Sequence, residues 1–335
     1  MKKVILTAIL FTFLVSCEKI FFEKDGYSED PHAVFEYLWK ECDEKYSFFD
    51  VKGVDWDEVH SRYEAKISDD MSQDQLFRVL GDMILELEDG HANLFSSFNI
   101  SHFNINDLGQ DNFDWRIVKD YYLPSDYYFT GPFYHDFING TDNTIGYIRF
   151  PSFSSEVNNT NLDFIVGRYQ HTKGIILDIR ENGGGDPGDF FKILSRFTEN
   201  KTLIYSTCQK SGPGHDEFTE PMDIYLEPSP NTKYLKKVIV LTDRGTYSAG
   251  SFMSLSTLAM PNVILMGDTT GGGLGAPNGG QLPNGWTYRF SVTRTYDISG
   301  NNYENGVPPD ITVLFDWTDL TKDEIIERAI EEINR

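Results

Sequence analysis

Ser248 sits in the stretch Gly245-Thr246-Tyr247-Ser248-Ala249-Gly250. An apolar run, Val238 to Leu241, precedes it and reads as a buried strand; Phe252, Met253, Leu255, Leu258 and Met260 follow and read as a buried helix. A serine at a strand-to-helix turn among small residues can be a nucleophile with backbone oxyanion donors beside it. The same place suits an N-cap, and the spacing is not that of a G-x-S-x-G elbow. Serine is a poor nucleophile at neutral pH and needs a base within hydrogen-bond reach. His91 follows Asp89-Gly90 at the end of a helical pattern, where the negative end of the helix dipole favours a protonated ring; the alternative role is to cap the helix's last carbonyls. The run Asp178-Ile179-Arg180-Glu181-Asn182-Gly183-Gly184-Gly185 opens a helix near Pro187, and its backbone N–H groups make a place for an anion. With neither a P-loop Lys-Ser/Thr nor a G-x-G-x-x-G register, an oxyanion fits better than a nucleotide; a purely structural glycine turn is the other reading. Glu304 lies in a turn-rich segment, Tyr303 to Ile311, and by itself reads equally as a solvated loop acid.

The elements that must position these residues are legible as patterns. Phe35, Leu38, Trp39 and Cys42 form a helical stripe; a second helix runs from about Trp56 to Ile67; a third starts at a Ser72/Gln75 capping box and ends at Asp89-Gly90. Residues 31–95 therefore read as a small helical bundle. Residues 96–140 are rich in Asn, Asp, Phe and Tyr and show little periodicity. From residue 141 onward, a strand at 144–150, a helix at 162–169 and a continuous apolar run at 173–179 alternate. That pattern predicts an α/β domain with a largely parallel sheet and flanking helices. Strands at 238–243 and 263–266, a glycine-rich loop at 271–280 with few side chains to hold it, a hairpin-like stretch at 286–293, and a last helix capped by Thr321 and Glu324 complete the chain.

The chain of 335 residues has a formal net charge of −23, so a phosphate backbone is an unfavourable partner. Met1-Lys2-Lys3 and the apolar run Val4 to Val15 read as a secretory signal over residues 1–16, too short to span a membrane as a helix. Leu14-Val15-Ser16-Cys17 resembles a lipobox, which makes Cys17 the lipidated N-terminus of a tether over 17–30; an ordinary signal with a chance cysteine is the alternative. Cys42 and Cys208 read as free core thiols. No Cys/His spacing reads as a zinc site, and no metal or other cofactor is expected.

The segments Gly90 to Leu94, Asp178 to Gly185, Thr246 to Gly250 and Glu304-Asn305-Gly306-Val307-Pro308-Pro309-Asp310 stand in an order that resembles the S41 serine peptidases. That family comprises the C-terminal processing peptidases and the tricorn protease core. The resemblance implies a ClpP/crotonase-like core and hydrolysis of peptide bonds through an acyl-enzyme. The processing branch uses a Ser-Lys dyad, but Gly267 to Gly273 holds no lysine. The tricorn-like branch uses Ser, His and Glu, which by position are Ser248, His91 and Glu304. In that scheme Glu304 orients His91 directly or through an intervening group, and the oxyanion rests on Ala249 and on Gly183 or Gly184. Gly90 stands where the tricorn core has an auxiliary serine, and residues 96–140 are too few for a complete PDZ domain. The expected partner is a peptide or protein in the bacterial cell envelope, with membrane contact only through the N-terminal lipid. An esterase, or an inactive ligand-binding lipoprotein of the same fold, is the alternative.

Overall fold

A computed structural model describes residues 28–335; the signal, Cys17 and most of the expected tether lie outside the described residues. The centre is a seven-stranded sheet in the order β14-β10-β9-β6-β5-β4-β3. Its parallel heart is β5 (Ile145–Arg149), β6 (Gly174–Asp178), β9 (Lys237–Thr242) and β10 (Val263–Gly267), with the short β14 (Ile311–Thr312) parallel at one edge. β3 (Tyr128–Thr130) and β4 (Phe133–Phe137) add antiparallel strands at the other edge. The sheet therefore draws strands from within the 96–140 stretch, where weak periodicity hid them.

Successive side chains of a strand point to opposite faces, and both faces of this sheet are covered. Ile175, Leu177, Val238 and Val240 join a core with α4 (Asn159–Arg168), α5 (Pro187–Leu194) and α6 (Ala249–Thr257). Ile176, Ile239 and Leu241 instead meet Ile325, Ile326, Ala329 and Ile333 of the last helix, α7 (Glu324–Asn334). The N-cap of α7 is Asp323 rather than Thr321: its carboxylate accepts from the Ile325 and Ile326 N–H groups.

The N-terminal helices are α1 (Pro31–Lys45), α2 (Trp56–Glu64) and α3 (Gln73–Leu85), the last opened by the expected Ser72/Gln75 capping box. They share one core with Leu282, Trp286, Tyr288 and Phe290. Tyr288 and Phe290 lie on β12 of a four-stranded sheet, β11-β12-β1-β2, built from β1 (Asn93–Phe95), β2 (Ile100–Ser101), β11 (Pro277–Gln281) and β12 (Thr287–Ser291), and Leu282 and Trp286 lie in the turn between β11 and β12. β1 pairs antiparallel with β12, Leu94 opposite Tyr288. A third sheet, β13-β7-β8, comprises β7 (Thr202–Gln209), β8 (Met222–Leu226) and β13 (Thr293–Tyr296). The mixed α/β fold with flanking helices agrees with the sequence pattern, and Cys208 lies near the end of a strand, β7; β8 has no counterpart in that pattern. Cys42 and Cys208 are buried and free.

Candidate active site

Ligand sites in open parallel sheets lie beyond the carboxyl ends of the strands. Here the glycine loop leaves the end of β6, and the Ser248 turn leaves the end of β9. Ser248 has φ 53° and ψ −119°, a conformation that a residue with a Cβ adopts only under constraint. Its side chain makes no capping bond to α6, which removes the N-cap reading. The constraint comes from neighbouring backbone: Tyr247 N donates to the Asn182 carbonyl at 2.9 Å, and Ser248 N to the Gly272 carbonyl at 3.0 Å. Gly184, at φ +97°, packs so close to the turn that a Cβ there would stand 2.8 Å from that of Ser248.

His91 reaches the serine because β1, two residues on, is stitched to β12. Its Nε2 lies 3.0 Å from Ser248 Oγ, although the residues are 157 apart in sequence. For Nε2 to accept the hydroxyl proton, the ring's own proton must sit on Nδ1. Nδ1 is buried and has no hydrogen-bond partner; the Gly275 backbone nearby raises the ring's proton affinity. α3 ends at Leu85, short of the expected Asp89-Gly90. Burial sets the basicity of the imidazole and holds its pKa below the usual value; the Arg289 charge adds to that, and the Asp89 charge opposes it. The expectation that a helix end would favour the protonated ring therefore does not hold: desolvation outweighs it.

Glu304 is buried, but no hydrogen bond joins it to His91. Its Oε2 accepts from Leu274 N at 2.7 Å, and the Gly275 N–H also favours its charged form. Burial and then the Asp89 charge push the Glu304 carboxyl well above the usual carboxylate range. Glu304 and His91 therefore both adjoin the 274–275 backbone without meeting each other. The glycine-rich segment 271–275 is correspondingly not a loose loop: all five residues are buried. A Cβ at Gly272 would stand 1.8 Å from the Glu304 carbonyl oxygen.

A second buried carboxylate, Asp89, borders the His91 loop; sequence reasoning did not single it out. Asp89 Oδ1 accepts from His91 N at 2.7 Å and from the Tyr247 hydroxyl at 3.1 Å. Its Oδ2 accepts from Ser291 Oγ at 2.9 Å. Asp89 therefore ties the His91 loop, Tyr247 and β12 together. Its signal in the sequence was the Asp-Gly-His adjacency.

Of the expected oxyanion donors, Gly184 is engaged: its N–H donates to Asn182 Oδ1 at 3.0 Å. Gly183 is exposed, and a Cβ there would meet nothing within 4 Å. Its N–H donates to no group among the described residues. Ala249 opens α6, where an N–H has no intrahelical acceptor. Ser248, His91, Gly183 and Ala249 line one cavity of about 630 Å³, whose other walls include Tyr205 of β7, Ile224 of β8, Phe252 and Arg289. Among the described residues, no cluster of His, Cys, Asp or Glu could hold a metal ion.

The mixed α/β core, with a serine on a strained turn, a histidine against it and a cleft in front, is what the comparisons with known proteins can be set beside. Residues 144–313 match the model of peptidase family S41, and residues 27–85 match the tricorn protease C1 domain. The chain belongs to peptidase family S41. The crystal structure of a protein described as a candidate peptidase from Parabacteroides merdae is 40% identical, with a TM-score of 0.88 over 92% of this chain and 98% of that one. Mature CPAF, 14% identical with a TM-score of 0.68 over 91% of this chain and 96% of its own, shares the fold. The carboxy-terminal processing protease CtpA of Bacillus subtilis (strain 168) is 25% identical over 209 residues, 62% of this chain. This chain spans 41% of that relative's length.

Proposed function

We propose that the protein is a serine peptidase whose nucleophile is Ser248 and whose base is His91. The observation that carries this reading is the 3.0 Å approach of Nε2 to Oγ on a strained turn facing a cavity. As Oγ attacks the scissile carbonyl, its proton passes to Nε2. The carbonyl oxygen, now an anion, takes hydrogen bonds from Ala249 N and Gly183 N; removing one such donor typically costs about 3 kcal/mol of transition-state stabilisation. The proton on Nε2 then goes to the leaving amine, and water repeats the sequence on the acyl-enzyme. Because burial keeps His91 neutral, the base is ready at neutral pH. Asp89 supplies the charge that supports the imidazolium, and Glu304 holds the 274–275 backbone against the ring. Tyr205, Ile224 and Phe252 suit an apolar substrate side chain.

A fluorophosphonate probe tests the nucleophile: wild type is labelled and Ser248→Ala is not, and labelling that persists in the variant removes Ser248 from the role. A matched peptide and ester panel separates peptidase from esterase. A probe-silent protein that still fills the cleft would be the ligand-binding alternative.

We also propose that Cys17 anchors the protein by lipid in the bacterial envelope, as the lipobox pattern supports. Replacing Cys17 by Ser then moves the protein from the membrane to the soluble fraction; unchanged partition refutes the anchor.

A further inference from the structure

The cleft contains a cation that the catalytic scheme does not use. Arg289 projects from the exposed face of β12 and lines the same cavity as His91 and Ser248. Every other arginine except Arg244 has a carboxylate within 4.0 Å. Arg244 spends its guanidinium on the Thr270 and Asn305 carbonyls. Arg289 has no such partner among the described residues, in a chain with 52 acidic and 29 basic side chains. An unpaired arginine is unexpected where acids are in such excess.

Its position is nonetheless built. Nε donates to Asn93 Oδ1 at 2.7 Å, and the guanidinium lies over the Phe95 ring at 5.6 Å. Asn93 is itself buried, is paired opposite Arg289 in the β1–β12 register, and donates from Nδ2 to the Ser101 carbonyl at 3.4 Å. Holding Nε in this way leaves the two Nη groups as a free end-on pair, the geometry that grips a carboxylate with two parallel bonds. Holding the side chain beforehand lowers the ordering cost of binding.

We propose that Arg289 is a substrate-anchoring residue that binds a carboxylate of the peptide, either its C-terminus or an acidic side chain, beside the scissile bond. The anchor also answers an electrostatic problem. A surface with a net charge of −23 repels anionic peptides, and one unpaired cation inside the cleft supplies local attraction.

The inference rests on the cleft being the substrate site, so its test does not use turnover. Fluorescein-labelled, alanine-based octapeptides with one Phe are bound to Ser248→Ala by anisotropy, in two matched pairs. One pair differs only in a C-terminal acid or amide; the other has an amide end and differs in Glu or Gln. The expected result is a preference of about tenfold or more for the acid in at least one pair, and that pair identifies the source of the carboxylate. In Ser248→Ala with Arg289→Gln the acid-to-neutral ratio falls to about one, and Arg289→Lys restores part of it. Because the ratio is taken within one variant, a general loss of affinity cancels. No preference in either pair, or a preference that survives Arg289→Gln, overturns the anchor. If the fluorophosphonate result fails while the ratio behaves as expected, the serine chemistry falls and the carboxylate site stands.

Discussion

The Asp178–Arg180 cluster and the Asp89–His91 cluster are both almost wholly buried, yet they are wired in opposite ways. Arg180 grips the Asp178 carboxylate through Nε and Nη2, and its Nη1 reaches Asp323 Oδ2 at 2.8 Å and the Asn112 carbonyl at 2.9 Å. Tyr147 adds a bond to Asp178 at 2.7 Å. No polar side-chain atom of these residues is left without a partner. In the other cluster the Asp89 charge acts on both the His91 imidazole and the Glu304 carboxyl, and the imidazole's Nδ1 lacks a partner. A satisfied buried network holds β6, the 112 region and the cap of α7 together. An unsatisfied one leaves a buried imidazole of lowered basicity, at a cost in stability.

That contrast is broken most sharply by substitution at its centres. Ser248→Ala should lower kcat/KM by about 10⁴-fold or more and His91→Ala by a comparable factor, each with denaturation midpoints near wild type. Substantial unfolding in either would assign the site a structural role instead. Arg180→Met should do the reverse, costing about 3–5 kcal/mol in urea unfolding by leaving Asp178 and Asp323 buried without their partner.

The pH dependence of stability sharpens the comparison further, because the two clusters carry opposite signs. Burial alone would raise the Asp178 pKa, but the Arg180 charge outweighs it, and the carboxyl lies below its ordinary 3.8. Its contribution is present above that value and is lost as the pH falls through the folded pKa. Glu304 lies well above its ordinary 4.5, so its contribution is complete below that value and is lost as the pH rises through the folded pKa. Glu304→Gln should therefore gain in melting temperature over wild type as the pH is taken from about 5 to about 8; a gap that does not change with pH would contradict the shift.

Smaller effects remain. The acid limb of kcat/KM should lie below about 6.5, moving lower in Asp89→Asn and higher in Arg289→Gln as the opposing charges on His91 are removed. Shifts in the same direction would deny those charges their part. Ser248→Gly should stabilise the fold by about 1 kcal/mol, since relief of the turn's strain exceeds the added chain entropy of glycine; an unchanged midpoint would mean that no strain is stored there.

The chemistry-bearing residue types were legible in the sequence because each leaves a local trace. Ser248 sits between an apolar strand and a helix; the glycines follow Asn182 at a strand end; His91 follows Asp-Gly. Asp89 leaves no distinctive trace, because a carboxylate beside a histidine also reads as a turn former. The N-cap of α7 was placed two residues early, since Thr321 and Asp323 offer the same signal and only the buried bond to Arg180 chooses between them. β3, β4 and β8 left little trace because short antiparallel strands toward a sheet's edge or over a cleft lack the continuous apolar run of β6.

By itself the sequence determined the parallel α/β core, the strand-to-helix turn that carries Ser248, and the absence of a lysine from Gly267 to Gly273. Those are properties of neighbours within a few positions, where periodicity and turn chemistry act. Only the tertiary structure decided where His91 lies. The pairing of β1 with β12 brings it to 3.0 Å from a serine 157 residues away, and burial there, rather than the end of its helix, keeps it neutral. The same pairing sets Arg289 in the cleft without a partner. Long-range strand register and desolvation come into being only when the chain is packed, so no local pattern records them.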